Sequence, residues 1–117
     1  MDMPRIIKIG YRMWRTRRHT ASENGDRGEC LIDPAVLTIR NDLAGVYEAG
    51  VLLHELCHAV WEMQGIDLNG LCEEPHKVEE QVVNALSQGL MQVFDDTPQL
   101  LEYLKNAVMR VDENELE

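Results

Sequence analysis

The chain has 117 residues, 44% hydrophobic and 27% charged, a composition that excludes a disordered polypeptide and suits one compact core. Its formal net charge of -10 argues against general attraction to nucleic acid. No apolar run approaches the roughly 20 residues needed to cross a bilayer.

Three cysteines, Cys30, Cys57 and Cys72, follow no zinc-ribbon spacing, and Met1 to Gly10 lacks the apolar segment of a secretory signal. A reducing, cytoplasmic setting and a single domain over residues 1–117 are therefore expected. The charge is segregated. Residues 1–40 hold eight Lys/Arg against five Asp/Glu, a balance of +3, and the remainder holds three against sixteen, a balance of -13.

Residues Arg5 to Arg15, RIIKIGYRMWR, alternate partly between apolar and polar and include β-branched and aromatic residues, which predicts a strand with one covered face. The basic group Arg12, Arg15, Arg17, Arg18 and His19 falls here and just beyond. TASENGDRGE contains Asn-Gly and a second Gly and reads as a turn between strands of a hairpin. In CLIDPAVLTIR, Asp33-Pro34 interrupts pairing, so AVLTIR is expected as a short strand with Pro34 at an edge or bulge.

From about Leu43 to Gln64 the period becomes helical, with Asn41-Asp42 as candidate cap and Gly65 as stop. Apolar residues wrap far around this helix, which predicts that it is largely enclosed. IDLNGLCEEP reads as a loop, and Pro75 opens a second helix to about Phe94, with Val82, Val83, Leu86, Leu90 and Val93 on one stripe. Thr97-Pro98 starts a third helix to about Met109, with Leu100, Leu101, Leu104 and Val108 expected inward, followed by a frayed acidic tail.

The first helix carries HELCH, residues 54–58. Helical positions i and i+4 lie only about 40° apart, so His54 and His58 project side by side and can grip one tetrahedral ion. Glu55, about 100° from His54, is placed beside the open coordination position as a general base. A hydrolytic zinc centre takes three protein ligands, so a third is expected downstream. Glu79 lies within about 60° of every residue of the second helix's apolar stripe and is the favoured candidate, with Glu80 and His76 as alternatives. The carboxylate that is not a ligand can orient a ligand histidine from behind. Tyr47, His76, Tyr103 and Tyr11 are chemically able to stabilise an oxyanion.

HELCHAVW, followed some twenty residues later by VEEQVVNALSQGL, resembles the compact zinc-peptidase-like proteins related to the ImmA/IrrE and SprT families, especially their small phage and prophage relatives. The resemblance covers about residues 30–105. It implies a minimal zincin-like α+β fold, a small antiparallel sheet followed by three helices. It also implies a gluzincin-type site in which Zn2+ is held by His54, His58 and a carboxylate of the next helix, with Glu55 as general base. SprT-like members use a third histidine, which favours His76, although Lys77 stands where their glycine follows.

The activity so implied is zinc-dependent hydrolysis of peptide bonds, with a protein or extended peptide as substrate, held on an edge strand by backbone hydrogen bonds. The alternative is a phage-type accessory protein that keeps the scaffold for binding and hydrolyses little. Nucleic-acid and membrane partners are not expected.

Overall fold

The computed structural model describes the backbone of residues 2–116 and the side chains of residues 2–109. It contains four strands, β1 (Ile6–Ile9), β2 (Arg12–His19), β3 (Gly28–Leu31) and β4 (Val36–Arg40). Three helices follow, α1 (Gly45–Met63), α2 (Pro75–Asp96) and α3 (Gln99–Leu116). This is an α+β arrangement, a small N-terminal sheet followed by three helices. Two compact units are present, residues 1–87 and 88–117, with the boundary inside α2.

The run read as one strand is a hairpin. Ile9 pairs with Arg12 across a two-residue loop in which Gly10 has φ +62 and Tyr11 has no positive φ. That pattern belongs to type II′ turns, whose first position favours glycine because a side chain is strained there.

The sheet order is β1-β2-β4-β3, and it is mixed rather than antiparallel. β2 and β4 run parallel, Arg15 opposite Val36 and His19 opposite Arg40, while β3 returns antiparallel to β4. The segment 20–27 therefore does not close a hairpin between neighbours; it carries the chain past β4 to the far edge. Pro34 lies in the β3–β4 turn, and the strand after it is interior, with Val36, Leu37, Thr38 and Ile39 all buried.

α1 packs against β1, β3 and β4. The core between them is Ile9, Trp14, Ala35, Leu37 and Ala59, flanked by Ile7, Cys30, Leu52, Leu56 and Met63. α1 is not enclosed as the sequence suggested, because the sheet covers one face only and Val46, Tyr47 and Val60 stay exposed.

Its N-cap is Ala44, with no side-chain cap bond. Asp42, expected there, instead accepts from Arg40 Nε at 2.6 Å. At the other end Gly65 has φ +68, and the amides of Gly65 and Ile66 reach the carbonyls of Glu62 and Trp61, the pairing of a Schellman motif.

On α2 only Val83 and Ser87 are buried, and Leu86, Leu90 and Val93 of the expected inward stripe are exposed. In the second unit, Leu101, Leu104 and Val108 of α3 are exposed as well. α3 runs on to Leu116, through most of the segment expected to fray. Among the described residues no helix is long and apolar enough to cross a membrane.

Candidate metal centre

HELCH occupies the middle of α1, on the flank next to the edge strand β3. The local helix does what its spacing requires: His54 Nε2 and His58 Nε2 lie 3.2 Å apart, with the rings edge to face at 4.9 Å between centroids. One donor atom each from His54, Glu55 and His58 fall within 4.8 Å of one another.

The two carboxylates at the start of α2 divide their contacts. Glu79 Oε2 is 2.6 Å from His58 Nδ1. Glu80 places Oε1 2.9 Å from His54 Nε2 and Oε2 3.0 Å from His58 Nε2. A carboxylate facing Nδ1 accepts a proton from it, so Glu79 favours the Nδ1–H tautomer of His58, in which Nε2 keeps its lone pair; Glu80 Oε2 opposes this by facing Nε2 at 3.0 Å. Glu79 thus stands behind the ring, and Glu80 meets the nitrogens that converge.

The reason lies in which face of α2 is covered. Glu79 centres the whole apolar stripe, whereas the buried residues Val83 and Ser87 sit about 40° and 80° around the axis from it. Their mean direction is turned toward Glu80. His76, the other alternative, lines a cavity of about 240 Å³ with Trp61, Leu68, Pro75 and Glu79; no hydrogen bond joins it to the histidine pair among the described residues.

Glu55 is buried at 7% exposure, and the cause is β3. A Cβ at Gly28 would lie 2.6 Å from Val51 Cγ1 and 3.0 Å from Glu55 Oε2, closer than carbon side chains tolerate. Glycine lets the strand cross α1 here without displacing Val51 and closes the carboxylate in. Gly28 looked like part of a turn, and nothing local in the sequence distinguished it.

Burial pushes the Glu55 carboxyl up to about 7; the His58 imidazole opposes this, and the carboxylates of Glu80, Glu29 and Asp26 add to it. His54 is held below its ordinary value, chiefly by burial. Cys30, on the adjoining strand, is pushed up to about 12 by burial and by Glu55, Glu79 and Glu62.

The tyrosines chemically able to stabilise an oxyanion are solvent-exposed. Tyr11 at the hairpin tip, Tyr47 and Tyr103 are 88%, 73% and 68% exposed. Cys57, between the histidines in sequence, is outside the His54, Glu55, His58 group.

The donor set fits a divalent cation. Two nitrogens bound tetrahedrally at about 2.0–2.1 Å stand about 3.3 Å apart, close to the 3.2 Å spacing of the Nε2 pair. His58 Nε2, His54 Nε2 and the Glu80 oxygens converge with at most one proton among them when the imidazoles are neutral, and a shared cation relieves that excess of lone pairs. Comparison with family models, curated proteins and solved structures returns no match to this chain. The chemistry of the residues is the remaining guide.

Proposed function

We propose that this chain is a zinc-dependent peptidase in which His54, His58 and Glu80 hold the ion, Glu79 orients His58, and Glu55 is the general base. The observation that carries the reading is the 3.2 Å approach of two Nε2 atoms beside a buried carboxylate. A zinc ion there would lower the pKa of water to about 7 and polarise a carbonyl.

The chain's own residues supply the rest. Glu79 keeps the His58 proton on Nδ1 and away from the ion. Glu55 takes a proton at a carboxylate oxygen and returns it to the leaving amine. Among the described residues β3 pairs with β4 alone, so its other edge offers backbone groups to an extended peptide, and Gly28 brings that strand against Glu55.

A second reading, a scaffold that holds zinc and turns over little, is favoured by the two oxygens of Glu80, which span both Nε2 atoms and cover the approach to them. One pair of experiments separates these. Purified untagged chain is assayed for zinc by elemental analysis, then against a peptide library alongside Glu55→Gln. Stoichiometric zinc with cleavage lost in Glu55→Gln supports the peptidase. Zinc without cleavage supports the scaffold, and no zinc uptake overturns both.

A further inference from the structure

The basic residues of β2 are sorted by the pleat. Side chains of a strand alternate between faces, and Trp14 in the core sets Arg12, Trp14, Thr16 and Arg18 toward α1. Both arginines on that side have acids: Arg12 meets Asp33 at 3.9 Å, and Arg18 meets Glu48 at 2.5 Å.

Met13, Arg15 and Arg17 point to the other face. Their partners on β1 are Lys8, opposite Met13, and Ile6, opposite Arg15, and opposed residues share a face. All five are exposed, with Ile6 at 53% and Met13 at 56%. Among the described residues, no acid lies within ion-pair distance of Lys8, Arg15 or Arg17.

Three cations without an acidic partner among the described residues and two bare apolar side chains thus form one surface on a chain of net charge -10. Arg15 and Arg17 are spaced by two strand residues, about 6.8 Å, within a Debye length, so they repel each other and act together on an anion.

We propose that the open face of β1 and β2 docks an extended acidic protein segment that carries two carboxylates and an apolar residue on the side facing the sheet. An extended segment repeats the side chains of one side at the same spacing as Met13, Arg15 and Arg17, so two acids on that side meet the two arginines while an apolar residue on the same side covers Met13 and Ile6. Nucleic acid is the poorer complement: none of the five residues is aromatic, so bases have nothing to stack on, and phosphates leave Ile6 and Met13 uncovered. α1 lies across the sheet from this face, so the docking surface is independent of the metal centre and of the activity proposed for it.

The test uses the full chain and a short fluorescent peptide repeating Leu-Ser-Glu-Ser-Glu-Ser, which puts Leu, Glu and Glu on one side when extended, followed by anisotropy. Binding is expected at about 50 mM salt and weakens about tenfold or more by about 500 mM. Arg15→Glu with Arg17→Glu abolishes it, Arg15→Lys with Arg17→Lys retains it, and Lys77→Glu on α2 leaves it unchanged. Should the double reversal fail to fold, Lys8→Glu is expected to weaken binding several-fold. Peptide binding that ignores salt or these substitutions, or that is absent at low salt, overturns the proposal. So does tighter binding of a single-stranded oligonucleotide of equal charge.

Discussion

Glu79 Oε2 stands 2.6 Å from His58 Nδ1, on the side of the ring away from the atom that faces His54. That placement gives the two neighbouring carboxylates of α2 separable jobs. Substituting Glu79 by Ala is expected to weaken zinc binding about 10–100-fold, the cost of losing an orienting partner. Glu80→Ala, which removes the proposed third ligand, is expected to cost more. Competition with a chelator reads both constants, and a larger loss for Glu79→Ala would reverse the assignment.

Gly28→Ala inserts a methyl group where 2.6 Å separates it from Val51 Cγ1. Overpacking of this kind costs about 1–3 kcal/mol, visible as a lower denaturation midpoint. Because the same methyl presses on Glu55, zinc-dependent peptide cleavage is expected to fall further than stability alone explains. A variant as stable and active as the parent would show that β3 does not approach α1 so closely.

The Glu55 carboxyl is raised from 4.5 to about 7 in the folded chain, which fixes the sign of its effect on metal-free stability. Between those values the folded state holds a proton that the unfolded state has released. Its contribution is therefore full below pH 4.5 and is lost as pH rises to about 7. Glu55→Gln, which never ionises, should melt at a higher temperature than the metal-free parent at pH 8, and the gap should close toward pH 5. A gap that stays constant with pH would mean that Glu55 is not desolvated.

Cys30 is held at about 12, and Cys57 is also raised by burial. Since the thiolate is the nucleophile, alkylation by iodoacetamide at pH 8 is expected to be at least tenfold slower at Cys30 than for a free thiol, rising to the free rate in denaturant. Mass spectrometry of the labelled peptides resolves each site. Labelling of native Cys30 as fast as a free thiol would contradict the burial.

Local sequence determined what one element decides alone. The i, i+4 histidines share a flank of α1 because the helix repeats every 3.6 residues; Gly65 ends it because the Schellman turn needs a positive φ, and Pro75 opens α2. The basic run in β2 was legible as a group, but its sorting into paired and unpaired arginines was not, since the alternation has meaning only once α1 covers one face. The parallel pairing of β2 with β4 likewise depends on a long-range contact that no neighbour in the chain dictates.

The choice between Glu79 and Glu80 shows the boundary most clearly. Periodicity places residues around a helix's own axis, but it says nothing about how that helix is rotated against another. Adjacent residues differ by about 100°, so a partial turn of α2 exchanges a carboxylate that meets Nε2 for one that meets Nδ1. Packing at Val83 and Ser87 sets that turn, and only the assembled fold contains it.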